Sequence, residues 1–114
     1  MYETLDHYID GKWVKPTSGK GQDVMNPAKD VALAHLGHAS KADLDKALAA
    51  AQKGFNEWRR VSPYERCKIL RKAADLLRQR VDAIAEVLTL EQGKVLAEAK
   101  AELIASAEVI EWFA

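Results

Sequence analysis

The chain has 114 residues, which is enough for one small domain or for a piece of a larger one. Its 17 basic and 17 acidic residues cancel and form no basic stripe, so a nucleic-acid partner is not expected. The apolar runs are too short for a membrane span, the acidic start is unlike a signal peptide, and the single cysteine excludes an intrachain disulfide, which together predict a cytoplasmic protein without a membrane partner.

The first third of the chain predicts two short hairpins. Asp10-Gly11 lies between two strand-like runs, and Asp-Gly is favoured in tight hairpin turns because both central residues need a positive φ. A second pair of runs, at 23–25 and 31–36, is separated by Asn26-Pro27, a pair that initiates turns. Small antiparallel strands of this length need another element to cover them.

From Ser40 onward the apolar residues recur with a helical period, and three amphipathic helices are predicted. Ser40 can cap the first helix, and Asp43 lies in its first turn, where the helix dipole favours an acidic side chain. Gly54 interrupts this helix, which suggests the close approach of a neighbour.

The second predicted helix begins at Ser62, which forms the pattern of a capping box with Glu65. Gly93 is its expected left-handed end. Because about thirty residues is long for one globular helix, a bend is expected near Arg80. The third helix starts near Val95, with an expected buried stripe of Leu96, Ala99, Leu103, Ala107, Ile110 and Phe113.

These elements predict an α+β chain, with antiparallel strands over residues 1–38 and helices over residues 39–114. The two segments together are expected to be an incomplete part of one domain. The last helix ends at Trp112-Phe113 without a stop signal, which favours an N-terminal fragment of a longer chain.

Few residues are candidates for chemistry. Cys67 lies beside basic residues but has no nearby histidine, so we interpret it as a structural cysteine. His35 and His38 are too few, and wrongly spaced, for a metal site. The loop Ser18-Gly19-Lys20-Gly21 lacks the spacing of a phosphate-binding loop.

The run Glu91-Gln92-Gly93-Lys94 is more informative. A carboxylate near a helix C-terminus is disfavoured, since that end already carries partial negative charge. A bound cation would relieve this repulsion, so Glu91 is a candidate cation ligand.

Seven runs along the chain carry a resemblance to a known family: Tyr8-Ile9-Asp10-Gly11-Lys12-Trp13, Val24-Met25-Asn26-Pro27-Ala28, Gly54-Phe55-Asn56-Glu57-Trp58-Arg59, Ser62-Pro63-Tyr64-Glu65-Arg66, Ala73-Ala74-Asp75-Leu76-Leu77-Arg78, Thr89-Leu90-Glu91-Gln92-Gly93-Lys94 and Glu111-Trp112-Phe113-Ala114. In this order they resemble the N-terminal segment of the NAD(P)-dependent aldehyde dehydrogenase superfamily. The fourth and sixth runs look most like its succinate-semialdehyde dehydrogenase branch.

The resemblance implies an enzyme that oxidises an aldehyde to a carboxylic acid with NAD or NADP. Its cysteine nucleophile, activating glutamate, oxyanion donors and cofactor loop lie downstream of this segment, so no catalytic or cofactor-binding residue is assigned here. The segment alone is expected to be inactive, as the outer part of the Rossmann-like cofactor-binding domain of a homo-oligomeric parent. Some family members bind Na⁺ or K⁺ at the positions that match Met25 and Glu91.

A free-standing helical module remains the alternative. Its unfinished apolar stripe, which includes Trp112 and Phe113, would then bind a partner helix or a second copy of the chain. Under the first hypothesis the partner is the remainder of the parent chain.

Overall fold

The computed structural model describes residues 5–114, and this part of the chain contains four strands followed by four helices. The strands are β1 (His7–Ile9), β2 (Lys12–Val14), β3 (Gly21–Asn26) and β4 (Val31–Gly37), and the helices are α1 (Lys41–Trp58), α2 (Pro63–Gln79), α3 (Val81–Gln92) and α4 (Leu96–Trp112). The α+β class predicted from the sequence is confirmed. Within residues 5–114, no helix combines the length and the apolar character needed to cross a membrane.

The chain forms two compact units. The first contains the residues up to Met25 together with Asp30–Arg60, and it combines strands with α1. The second contains Asn26–Lys29 and Val61–Ala114, and it combines the turn after β3 with α2, α3 and α4. The division of the sequence into segments 1–38 and 39–114 stays a prediction.

The β1–β2 hairpin of the first unit has the predicted turn. Asp10 and Gly11 both have positive φ, at 51° and 76°, which matches the right-handed twist of the paired strands. Tyr8 pairs with Trp13 across the hairpin, and their rings meet edge to face at a centroid distance of 5.0 Å. This aromatic pair stabilises the register of an otherwise very short sheet.

The start of α1 is fixed by one buried carboxylate. Ser40 caps the helix, and Asp43 completes a capping box with it. The Asp43 Oδ2 atom accepts hydrogen bonds from the backbone N–H of Ser40 at 2.9 Å and from the backbone N–H and hydroxyl of Thr17 at 2.9 and 2.8 Å. Thr17 precedes β3, so this carboxylate ties the loop between the hairpins to the first turn of α1.

The donors around Asp43 stabilise its charged form. The backbone N–H of Ser40, followed by the N–H and hydroxyl of Thr17, lowers the pKa of this carboxyl well below its ordinary value of 3.8. A carboxyl whose pKa falls on folding stabilises the folded state above its unfolded pKa, and this contribution is lost as the pH falls through the folded pKa. At neutral pH the Asp43 carboxylate therefore makes its full contribution to the stability of the folded state.

The second unit confirms the expected bend in the long helical stretch. Arg80 leaves helical geometry at φ −105° and ψ 10°, and it separates α2 from α3. Its N–H still donates to the carbonyls of Leu76 and Leu77, both at 3.2 Å, so the chain turns without losing this backbone hydrogen bond. The stretch predicted as one bent helix is thus two, which raises the number of helices from three to four.

The capping box predicted at Ser62 forms only in part. The Ser62 hydroxyl accepts from the N–H of Glu65 at 3.3 Å. The Glu65 carboxylate instead pairs with Lys68 at 2.7 Å, three residues further along α2. Lys68 lies three residues along the same helix face, where an oppositely charged side chain can compete with the backbone N–H of Ser62 for this carboxylate.

Alanines form the buried centre of the second unit. Ala74 of α2, Ala85 of α3, and Ala99 and Ala107 of α4 are fully buried. Two ion pairs link the helices around them: Arg78 of α2 with Glu111 of α4 at 2.6 Å, and Asp82 of α3 with Lys100 of α4 at 2.6 Å. Small residues at the contacts allow the helix axes to approach closely.

We expect Asp43→Asn to lower the free energy of unfolding at neutral pH. The difference from the unmodified chain should narrow as the pH falls below about 4, because the Asp43 carboxyl of the unfolded chain then takes up a proton while that of the folded chain is still charged. Chemical denaturation at a series of pH values measures this difference. Asp45→Asn, which changes an exposed carboxylate of the same helix, is the control and should have a much smaller effect. A difference independent of pH down to strong acid would contradict the assignment.

Ala107→Leu should destabilise the chain by about 1–3 kcal/mol, because the larger side chain has no room in the fully buried contact of α4. The matched control is Ala105→Leu, at an exposed position of the same helix, where a change within about 0.5 kcal/mol is expected. Thermal unfolding measures the change in stability that each of the two variants causes. Equal effects at the two positions would contradict the assigned packing face.

Candidate functional site

The C-terminus of α3 has the left-handed end that the sequence predicts. Gly93 has φ 72°, and its N–H donates to the carbonyl of Thr89 at 2.9 Å. A Cβ atom at Gly93 would lie 3.1 Å from Cγ of Pro27, which belongs to the same unit. Both the backbone conformation and the approach of Pro27 therefore favour glycine at this position.

The turn that carries Pro27 is itself ordered by a buried side chain. Asn26 is buried, and its side-chain oxygen accepts from the N–H of Ala28 at 2.9 Å. Its backbone carbonyl also accepts from the N–H of Lys29 at 3.3 Å. This Asx turn presents Pro27 in a fixed conformation, as the Asn-Pro pair predicts.

The side chains beside Gly93 have different surroundings. Glu91 is exposed, whereas Lys94 is partly buried and pairs with Glu102 of α4. The hydroxyl oxygen of Thr89 is buried, and it has no hydrogen-bond partner within residues 5–114. The Lys94 side chain is thus used to join the end of α3 to α4, and Glu91 keeps an accessible carboxylate.

Met25 is the other residue of the predicted cation site. It lies in β3 with 42 % of its surface exposed, and it belongs to the first unit, whereas Glu91 belongs to the second. The Na⁺ or K⁺ site on Met25 and Glu91 stays a prediction. Within residues 5–114, no group of three or more His, Cys, Asp or Glu side chains is arranged to hold a metal ion.

The remaining chemical candidates lie in ordinary structural contacts. Cys67 is a partly buried free thiol on α2. His7 makes a hydrogen bond to the carbonyl of Gly37 at 3.1 Å, and His35 pairs with Asp23 at 2.9 Å. In the loop before β3, Ser18 donates to the carbonyl of His38 at 2.6 Å, so this loop is bonded to the residues that follow β4.

The first unit has an open cleft that was not predicted from the sequence. The cleft has a volume of about 390 Å³ and lies between the β1–β2 hairpin and α1. Its lining residues are Tyr8, Ile9, Asp10, Gly11, Ala47, Ala50, Ala51 and Gly54. The spacing of the small residues on α1 is the signal that would have found it, since they share one helix face. The lining is mostly apolar and contains no pairing of a nucleophile with a base.

The predicted reason for the glycine at position 54 is wrong. The sequence suggested that a neighbour approaches it closely, but a Cβ atom added there would meet nothing within 4 Å. The residue faces the open cleft, and its absent side chain leaves space that no described residue fills.

The comparison with protein families identifies the class. Residues 13–114 match the aldehyde dehydrogenase family, so the chain belongs to that family. This confirms the superfamily resemblance stated from the seven sequence runs.

Solved structures of dehydrogenases share the fold of the chain. It matches a betaine aldehyde dehydrogenase point mutant from Staphylococcus aureus in complex with NAD⁺, with 28 % identity and a TM-score of 0.89, over 95 % of this chain and 22 % of that one. It matches an NAD-dependent benzaldehyde dehydrogenase from Corynebacterium glutamicum with 32 % identity and a TM-score of 0.91, over 95 % and 24 %. A 3,6-anhydro-L-galactose dehydrogenase in complex with NADP matches with 32 % identity and a TM-score of 0.90, over 95 % and 23 %. The chain therefore spans less than a quarter of the length of these relatives.

Gly93→Ala should lower the free energy of unfolding by about 1 kcal/mol or more, because alanine is strained at positive φ and its Cβ would press on Pro27. Gly54→Ala is the matched control. It should raise stability by up to about 1 kcal/mol, because it adds a helix-favouring side chain in open space. Denaturant titration of both variants measures whether the free energy of unfolding falls for Gly93→Ala and rises for Gly54→Ala. Stabilisation by Gly93→Ala would contradict the left-handed end of α3.

Proposed function

We propose that this chain is the N-terminal part of an NAD(P)-dependent aldehyde dehydrogenase that oxidises an aldehyde to a carboxylic acid. The observation that carries the proposal is the family match over residues 13–114, together with backbones of the same fold in dehydrogenases solved with NAD⁺ and NADP. The proposed parent is a cytoplasmic homo-oligomer, and this segment contributes to its cofactor-binding domain.

The role of the segment in that reaction is structural. Cys67 is partly buried within α2, and the other candidates make contacts that stabilise turns and strands. A nucleophile would need a base within hydrogen-bond reach, and the cleft of the first unit provides none. We therefore assign catalysis to the remainder of the parent chain and expect residues 1–114 alone to be inactive.

The nicotinamide cofactor, which accepts the hydride in this reaction, is also assigned to the remainder of the parent. The glycine-containing loop at 18–21 does not have the arrangement of a nucleotide-phosphate loop, because a strand, β3, follows it in the chain where such a loop would open a helix. Within the loop, the Ser18 hydroxyl donates to the carbonyl of Lys20 and accepts from the backbone N–H of Lys20, so these groups are already hydrogen-bonded to each other.

For the substrate we propose succinate semialdehyde. The supporting features are the run Ser62-Pro63-Tyr64-Glu65-Arg66 and the run Thr89-Leu90-Glu91-Gln92-Gly93-Lys94, which look most like that branch of the family. The dehydrogenases solved with similar folds have other named activities, so the substrate must be measured directly.

The test compares two proteins: the complete reading frame that contains this sequence, and residues 1–114 alone. Each is assayed for reduction of NAD⁺ and NADP⁺ with succinate semialdehyde, betaine aldehyde and benzaldehyde. We expect turnover only by the complete protein, with the highest kcat/KM for succinate semialdehyde. Turnover by residues 1–114 alone would contradict the structural role, and a preference for another aldehyde would contradict the proposed branch.

A further inference from the structure

The turn of the β1–β2 hairpin contains the only place in the sequence where an aspartate or an asparagine directly precedes a glycine. At such a pair the backbone nitrogen of the glycine can attack the side-chain carboxyl of the residue before it, because glycine has no Cβ atom to hinder the approach. Asp10-Gly11 therefore carries a reactivity that its role in the turn does not use.

The reacting groups of this turn are accessible. The side chain of Asp10 is 60 % exposed, and its carboxylate meets the ammonium group of Lys53 at 3.3 Å. An exposed ion pair of this kind holds a side chain only weakly. A Cβ atom at Gly11 would have the Tyr8 hydroxyl, at 4.0 Å, as its nearest neighbour, so the turn is not crowded.

The hairpin offers little resistance to the rotation that the reaction needs. The nitrogen of Gly11 reaches Cγ of Asp10 when the Cα–C bond of Asp10 rotates out of the turn conformation. The hairpin is a two-stranded sheet with three residue pairs, and such a sheet is only marginally stable. Local opening of a turn of this kind costs far less free energy than global unfolding.

We propose that Asp10 is a site of spontaneous covalent modification, at which the aspartate converts to isoaspartate through a cyclic imide. The Gly11 nitrogen forms a bond to Cγ of Asp10, and the carboxyl hydroxyl leaves as water together with the amide proton. A water molecule then adds to one of the two imide carbonyls and breaks the C–N bond there. Cleavage at the side-chain carbonyl restores aspartate, whereas cleavage at the main-chain carbonyl gives isoaspartate. No electrons are transferred, and the product has the mass of the starting chain.

Isomerisation would alter the contacts in which Asp10 takes part. The main chain becomes one CH₂ longer at the turn, and turn length fixes the register of a hairpin, so the pairing of Tyr8 with Trp13 is lost. The carboxylate is then attached directly to Cα, which withdraws it from Lys53. Asp10 and Gly11 also line the cleft beside α1, so the modification changes the wall of that cleft.

Two other turn residues of the chain provide internal controls. Asp30 has the same φ of 51° and is exposed, but Val31 follows it, and the β-branched side chain of Val31 hinders the attacking nitrogen. Asn26 precedes Pro27, whose nitrogen carries no hydrogen and cannot close the imide ring. Exposure in a turn is thus separated from the effect of the following glycine.

The test uses the complete reading frame that contains this sequence, incubated in its native state at neutral pH in water enriched in heavy oxygen. Each hydrolysis of the imide introduces one oxygen from water, and digestion in ordinary water followed by peptide mass spectrometry locates it. Chromatography separates the isoaspartate peptide from the aspartate peptide. We expect heavy oxygen and isoaspartate to accumulate at Asp10 several times faster than at Asp30.

Asp10→Asn and Asp10→Glu are the matched variants. Asparagine is favoured in the same turn, and its amide releases ammonia more readily than a carboxylate releases water, so isoaspartate should form faster. Glutamate keeps the charge beside Lys53 but would have to close a larger ring, so the gain of heavy oxygen at position 10 should fall to background.

Amide hydrogen exchange over residues 7–14 compares the two isomers in one aged sample. We expect faster exchange in the isoaspartate form, because the register of the hairpin is lost. Unchanged exchange would overturn this consequence of the modification. Equal gains of heavy oxygen at Asp10 and Asp30, or isoaspartate at position 10 only after unfolding in urea, would overturn the proposal itself. These readouts do not depend on aldehyde turnover, so they stand whether or not the proposed function holds.

Discussion

The contact of α4 with α2 and α3 through alanines is the constraint on which the second unit depends. Alanine permits close helix packing, but each buried alanine contributes less hydrophobic stabilisation than a leucine, at about 0.8 kcal/mol for each missing CH₂. Ala74, Ala85, Ala99 and Ala107 make up the fully buried apolar residues, and no large side chain is fully buried within the described residues. The ion pairs Arg78–Glu111 and Asp82–Lys100 orient these helices but are exposed to solvent and add little stability.

Polar contacts have a larger role in the first unit. The Asp43 carboxylate receives donors from Ser40 and Thr17 and fixes the start of α1 relative to the loop before β3. The Tyr8–Trp13 pair fixes the neighbouring hairpin.

Local features of the sequence were predictable because each depends on neighbouring residues. The turns at Asp10-Gly11 and Asn26-Pro27, the cap at Ser40 and the end at Gly93 all follow from backbone conformation and short-range hydrogen bonds. The second half of the Ser62 capping box failed because the competing partner, Lys68, is equally local and carries a charge. The cleft beside α1 was missed because it requires the hairpin and the helix to be placed together.

The sequence by itself determined the class of the chain: the order of strands and helices, the bend near Arg80 and the aldehyde dehydrogenase family. Only the tertiary structure decided which side of each apolar helix is covered. Periodicity locates apolar stripes, but α4 is apolar all round, so its pattern placed Phe113, which is 78 % exposed, on the same stripe as the fully buried Ala107. That choice depends on which side chains allow α4 to approach α2 and α3 most closely, and alanine permits the shortest distance.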